Sequence, residues 1–359
     1  MTSANRIGDG SGRTRREFLI GAGAGVATLG LPQPARGQQQ DPVIYCGWGG
    51  SSQDILREAF FVPFTKKTGI RVVETSPTDY AKAKVMVEAK RTEWDILQAD
   101  LDFIYRGKAE NLLEPLDYKV ISPKDVLPEA IHQHGVAYAY GATVITYRTE
   151  VYPPGKGPKT WADFWDVVRF PGRRALPKDP YFLFPLALAA DGVPRDKMYP
   201  VDVDRAFKSL DRIRPHIFKW WETGGQSQQL ITDKEADMVA AWTSRMFVVQ
   251  KQGAPIYVEM NEGAPWGDAW VVLRGAPHKE NAMKFIAFAI QHEEGMAINS
   301  TKKLSGFTNT RTTRLLEPGV AQSLVSTPEN RARLLPFGDE WWGTNRAKMV
   351  ERMTVWLLK

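Results

Sequence analysis

Between residues 43 and 101, short apolar runs alternate with segments of helical spacing. That alternation limits the fold more than any other feature of the chain. Residues 43–48 form an apolar run ending at Gly49-Gly50, the pattern of a buried strand. Ser51 or Ser52 then caps a segment with apolar positions at Ile55, Phe60 and Phe61, and Gly69 ends it. Residues 70–74 read as a second strand. Residues 79–91 read as a helix with Val85, Met86 and Ala89 at helical spacing. Residues 95–98 read as a third strand, which feeds a helix from about Leu101. Strands that alternate with helices predict a parallel α/β sheet.

The middle of the chain breaks this rhythm. Residues 142–147 are extended and alternating, and a Pro/Gly-rich stretch follows at 153–158. Helices are expected at 161–165, 182–191, 203–213 and 226–232. A buried strand at 238–242 feeds a helix from Thr243. Residues 256–259 and 269–273 read as short strands around a linker at 260–268, and helices return at 280–292 and 339–358. Two α/β units joined by two extended crossings predict a hinge and a cleft, with ligands held between the lobes at strand C-terminal ends and helix N-termini. The expected lobes are 41–145 with 269–315, and 146–268 with 316–359. A length of 359 residues fits two domains at roughly 100–200 residues each.

Charge and leader narrow the setting. The formal charge is +6. Half of it sits in residues 1–37, where Arg6, Arg13, Arg15, Arg16 and Arg36 face only Asp9 and Glu17. The remainder is too mildly basic for a nucleic-acid footprint. Thr14-Arg15-Arg16-Glu17-Phe18-Leu19 opens an apolar run to Leu31, shorter than the roughly 20 residues that span a bilayer. A basic start, an apolar core and small residues at Ala35 and Gly37 make a signal peptide. It resembles the twin-arginine export signal, with Ile20 in place of the usual Lys. Cleavage near Gly37 would leave a periplasmic protein. Cys46 is the single cysteine, so an internal disulfide and a Cys-based zinc site are excluded, and it reads as a small apolar strand residue.

No enzyme motif stands out: there is no Gly-x-Ser-x-Gly, His-Glu-x-x-His or Walker loop. His132 and His134 read as a solvated loop pair, and no metal or other cofactor is expected. The 12 tryptophans say more. Trp48 ends the first strand beside glycines, and Trp242 ends the strand before a helix. Trp266 lies two residues from Asp268, which in an extended segment puts ring and carboxylate on one face, with Trp270 continuing it. A ring face plus a carboxylate suits an ammonium. Asp100, Asp102 and Asp179 follow strands and would serve either as helix N-caps or as ligand carboxylates. Arg245 follows Trp242 and would pair with a neighbouring Asp or grip a ligand carboxylate. Thr223-Gly224-Gly225-Gln226 reads as a turn into a helix, with anion capture by its N–H groups as the alternative.

Several of these stretches, in this order, resemble periplasmic solute-binding proteins of ABC importers, in the spermidine/putrescine-binding branch. They are the 43–48 strand-to-Trp run, Phe64-Thr65-Lys66-Lys67-Thr68-Gly69-Ile70, Trp94-Asp95-Ile96-Leu97 and Tyr140-Gly141-Ala142-Thr143. Thr160-Trp161-Ala162-Asp163-Phe164-Trp165, Trp266-Gly267-Asp268 and the 280–289 helix complete the set. The resemblance implies the type II periplasmic-binding-protein fold and a polyamine site at Trp48, Asp179, Trp242, Trp266, Asp268 and Phe307. Phe182, Gly49, Asp100 and Asp102 depart from that pattern, and Arg245 brings in a cation. The expected function is capture of a polyamine or other amine by a monomer that delivers it to an inner-membrane permease. A zwitterion held through Arg245 is the alternative. An exported enzyme and a structural or adhesion role are the more distant ones.

Overall fold

The computed structural model describes residues 40–359, so the signal-peptide expectation lies outside the described residues. Within them the strands join into one ten-stranded sheet.

The first α/β run is close to the sequence reading. Strand β1 (Val43–Cys46) leads through α1 (Gly50–Leu56), a π-helical turn and α2 (Val62–Thr68) to β2 (Val72–Thr75). Gly69 ends α2 in the left-handed conformation at φ 77°, which glycine adopts without steric cost. The caps differ from expectation at one end: Gly49 precedes α1, and no serine side chain caps it. Helix α3 (Tyr80–Glu88) is capped by Asp79, whose carboxylate accepts the Lys82 N–H. It leads to β3 (Ile96–Asp100) and α4 (Leu101–Ala109). Cys46 is fully buried in β1, and burial pushes its thiol up to about 12, so it is a packing residue.

The crossings are longer than the sequence suggests. After the short β4 (Ile131–His132), strand β5 (Gly135–Arg148) is buried over nearly its whole length. The second half of the chain then runs through α5 (Trp161–Trp165), β6 (Arg174–Pro177), α6 (Pro180–Ala190), α7 (Val203–Ile213) and β7 (Ile217–Trp221). It continues through α8 (Gly224–Thr232), β8 (Met238–Trp242), α9 (Thr243–Lys251) and β9 (Ile256–Val272). Residues 256–272 are thus one strand rather than two around a linker. The linker expectation fails because β9 pairs antiparallel with β5 on both sides of an irregularity between Thr143 and Ile145. That irregularity absorbs the glycine-containing stretch which made the segment look like a loop.

The last part packs helices α10 (Lys279–Gln291) and α11 (Glu293–Lys303), the short strand β10 (Gly306–Phe307), α12 (Pro318–Ser323), α13 (Pro328–Arg333) and the long α14 (Asp339–Leu357). β1, β2 and β3 are mutually parallel, as are β6, β7 and β8. The antiparallel pair β5–β9 stands between the two parallel groups. The C-terminal ends of β3, β6 and β8 therefore converge around β9, and that convergence positions the site.

Candidate functional site

An aromatic wall comes first. Trp242 closes β8, Trp266 lies in β9, and their ring centroids are 5.9 Å apart. Phe182, in the first turn of α6, stands 5.2 Å from Trp242 and 6.4 Å from Trp266. Gly141 faces Trp266 across the β5–β9 ladder, and a Cβ there would fall 2.2 Å from the indole. Only glycine lets that ring lie flat on the strand. The indole N–H groups of Trp242 and Trp266 are both buried, and neither has a hydrogen-bond partner among the described residues. Leaving a buried donor unpaired costs about 1–3 kcal/mol, so two side by side mark a place where an acceptor is expected.

Asp268 organises the next group. Its Oδ1 accepts the Trp48 indole N–H at 3.1 Å, and its Oδ2 accepts the Tyr138 hydroxyl at 3.3 Å. The irregularity of β5 at Tyr138 aims that hydroxyl, which also takes a 2.5 Å bond from the buried Gln98 amide. Gln98 in turn accepts the Trp48 backbone N–H at 3.2 Å. Lys303, from the last turn of α11, brings its ammonium to 3.8 Å from Asp268 Oδ2. Burial raises the Asp268 carboxyl above its usual range, and Lys303 works against that shift. Burial likewise lowers Lys303, opposed by Asp268 and reinforced by Arg245.

Asp100 lies beside Asp268, its register partner across β3–β9. Register partners have Cβ atoms roughly 4.5–5.5 Å apart, so the two carboxylates share one face. Asp100, Asp102 and Asp179 all converge on Arg346 of α14. Its Nη1 is 3.0 Å from Asp100 Oδ2 and 2.8 Å from Asp102 Oδ1, and its Nη2 is 2.7 Å from Asp179 Oδ2. Burial pushes the Asp102 carboxyl up to about 6, although Arg346 opposes it. Burial also disfavours the Arg346 charge, but the three carboxylates hold its pKa well above the ordinary value. Of the three, Asp179 alone caps its helix through the side chain, accepting the Tyr181 N–H at 2.9 Å.

Arg245 stands on the first turn of α9. Contrary to an internal pairing, it makes no ion pair or side-chain hydrogen bond among the described residues. Its Nε and the Trp242 ring both lie within 3 Å of where a Gly224 Cβ would be, so Gly224 makes room for both. Thr223 and Gln226 form a capping box at the start of α8, so this turn is a helix start with its own cap.

Contacts thus link Trp48, Asp100, Asp179, Trp242, Arg245, Trp266 and Asp268. Phe307 is not brought to them: its ring fills a small core with Leu304, Leu316, Val320 and Leu324. Trp270 is buried outright, stacked 4.3 Å from Tyr138 with its N–H on the Tyr45 hydroxyl. His132 lies in β4 rather than in a solvated loop. Tyr105 reaches its Nδ1 at 3.4 Å, burial lowers the imidazole pKa, and its Nε2 is buried without a partner among the described residues. A cavity of about 780 Å³ beside α4 and α14 is lined by Leu101, Tyr105, His132, Tyr199, Phe337 and Trp341 among others, and by none of the nominated residues. Sequence reasoning missed Lys303, Arg346, Tyr138 and Gln98. No motif marks any of them, because each becomes special only through strands and helices distant in the chain.

Residues 59–325 match the model of the bacterial extracellular solute-binding protein family. The γ-aminobutyric acid-binding protein of Pseudomonas aeruginosa is 30% identical over 339 residues, covering 92% of this chain and 95% of that protein. The spermidine/putrescine-binding periplasmic protein of Escherichia coli is 23% identical, covering 85% and 88%. The solved structure of a GABA receptor is 34% identical with a TM-score of 0.82, covering 88% of this chain and 97% of that one. The fold is that of type II periplasmic binding proteins, two α/β lobes with the cleft between them. The chain belongs to the bacterial extracellular solute-binding proteins.

Proposed function

We propose that this chain is the solute-binding component of an ABC importer, and that its ligand is a small zwitterion with one ammonium and one carboxylate. A γ-aminobutyrate-like ω-amino acid fits best. One observation carries the choice. Trp242, Trp266 and Arg245 present hydrogen-bond donors that no side-chain or backbone acceptor among the described residues uses. A protonated polyamine has only donors and would leave all of them unpaired. A carboxylate is the acceptor they lack, and a guanidinium grips it in two places.

Charge distribution supports the same reading. Arg346 is already paired with Asp100, Asp102 and Asp179, and Lys303 lies beside Asp268, while Arg245 has no carboxylate partner among the described residues. The ligand carboxylate goes to Arg245 and the indole donors. Its ammonium goes to Asp268, beside the ring of Trp48. The similarity to proteins named for γ-aminobutyrate points the same way. Calorimetry with γ-aminobutyrate, α-amino acids, putrescine and spermidine tests the reading. An ω-amino acid should bind tightest, and a diamine that binds tighter would return the site to the polyamine class.

Closure would bring together lobes of 41–145 with 269–315 and 146–268 with 316–359. The packing of Leu316, Val320 and Leu324 with Leu304 and Phe307 carries the first lobe somewhat further along the chain. Among the described residues no helix is long and apolar enough to cross a membrane. Thr14-Arg15-Arg16-Glu17-Phe18-Leu19 supports twin-arginine export to the periplasm. Arg15→Lys with Arg16→Lys should leave the precursor in the cytoplasm, and normal periplasmic protein from that double variant would rule the route out. Delivery to an inner-membrane permease completes the role.

A further inference from the structure

Arg346 is placed where a ligand cation would be expected. Its guanidinium is held by carboxylates from β3, α4 and the start of α6, and it lies 4.5 Å over the Tyr181 ring. Phe182 stands 6.0 Å away. Several carboxylates converging beside aromatic faces are what a protein uses to hold an organic cation. Here the protein supplies the cation itself. The group is not a sealed core pair: the Asp100 and Asp179 side chains keep 27% and 33% of their exposure, against 18% for Arg346. Only Asp102, at 4%, is buried outright.

We infer that Arg346 is a specificity-determining residue that occupies the seat of a second ligand cation and so restricts the cleft to ligands with a single ammonium. The inference rests on reading the cleft as an amine site. A second ammonium approaching Asp100 or Asp179 meets a carboxylate already paired and a like charge at close range. To enter, it would have to displace Arg346 from three partners at once. A ligand with one ammonium and a carboxylate at its other end makes no such demand. The same fold with a neutral side chain at 346 would keep Asp100, Asp102 and Asp179 free for a diamine.

Calorimetry of wild type, Arg346→Gln and Arg346→Lys with γ-aminobutyrate, putrescine and spermidine tests this. Arg346→Gln should bind putrescine at least about ten-fold tighter than wild type, since a freed charge-assisted contact is worth that or more. Arg346→Lys keeps the charge and should stay as indifferent to diamines as wild type. If three unpaired carboxylates prevent Arg346→Gln from folding, as judged by circular dichroism, Arg346→Gln with Asp102→Asn removes the buried one and should show the same gain. A folded Gln variant without that gain would overturn the inference. So would a Lys variant that gains equally, or a wild type that already binds putrescine as tightly as the Gln variant. The wild-type panel alone decides the zwitterion reading. A wild type that ignores ω-amino acids would defeat that reading while leaving the diamine gain to be read on its own.

Discussion

The Trp48 indole donates a 3.1 Å hydrogen bond to Asp268 across 220 residues of sequence, tying the end of the first strand to the crossing strand β9. The bond fixes the ring beside the carboxylate and leaves the other carboxylate oxygen to Tyr138 and Lys303. Any ammonium that binds here therefore meets an oriented acceptor and an oriented ring, with little left to order on binding.

Asp268→Asn keeps the shape and removes the charge. A lost charge-assisted contact is worth roughly 1.5–3 kcal/mol, so affinity for γ-aminobutyrate should fall about 10- to 150-fold in calorimetry. Lys303 loses its carboxylate partner in the same variant, so some loss of thermal stability should accompany it. Unchanged affinity would reduce Asp268 to a clamp for Trp48.

Arg245→Gln separates ligand binding from folding. The residue is exposed and has no carboxylate partner among the described residues, so its removal should leave the melting temperature where it was. Affinity for an ω-amino acid should drop about ten-fold or more, because a guanidinium grips a carboxylate through two charge-assisted hydrogen bonds. Putrescine binding should hold or improve. A variant that binds γ-aminobutyrate as well as wild type would place the carboxylate elsewhere.

Much of this was legible in the sequence, for a physical reason. Trp48, Asp100, Asp179, Trp242 and Arg245 sit at or just after strand ends, and strand ends follow from local apolar runs and the polar residues that stop them. Trp266 and Asp268 share a face through the two-residue period of a strand, which is also local. Arg346 and Lys303 were illegible because each lies on a helix whose pattern gives a buried face and no chemistry. Only tertiary packing brings Arg346 to Asp179, 167 residues away. Phe307 was nominated by resemblance alone, and the packing of α12 against β10 took its ring into a core instead. The crossing at 256–272 looked like strand, linker, strand because pairing across an irregular ladder leaves no period in the sequence.

The unpaired indoles give a narrower test. Trp242→Phe and Trp266→Phe each keep an aromatic ring and delete one buried donor. Without ligand the substitutions should be neutral or mildly stabilising, since an unsatisfied donor is removed. With γ-aminobutyrate, at least one should weaken binding by about three- to ten-fold, the worth of an ordinary hydrogen bond. Putrescine, which has no acceptor, should bind either variant no worse than wild type. Equal losses for both ligands would mean that the rings act only as walls.

Asp339 offers a prediction about pH that leaves the ligand aside. Its carboxyl opens α14, is buried, and accepts the Tyr181 hydroxyl at 2.8 Å. Burial pushes it up from 3.8 to about 7, the Tyr181 bond opposes that rise, and nearby Asp102 and Asp100 add to it. A carboxyl raised in the folded state binds its proton more tightly there than in the unfolded chain. Its contribution to stability is complete below about pH 4 and is lost as pH rises towards 7. Asp102, pushed up to about 6, acts in the same direction, so a variant at Asp339 itself is needed to separate the two. Asp339→Asn keeps an acceptor for Tyr181 and cannot ionise. The variant's stability relative to wild type should rise between pH 4 and pH 8 by an amount on the order of 2–4 kcal/mol, because a tenfold change in proton affinity is worth about 1.4 kcal/mol. Urea unfolding of both proteins at pH 4, 6 and 8 measures that difference directly. Parallel stability profiles across the range would show that the Asp339 carboxyl ionises normally despite its burial.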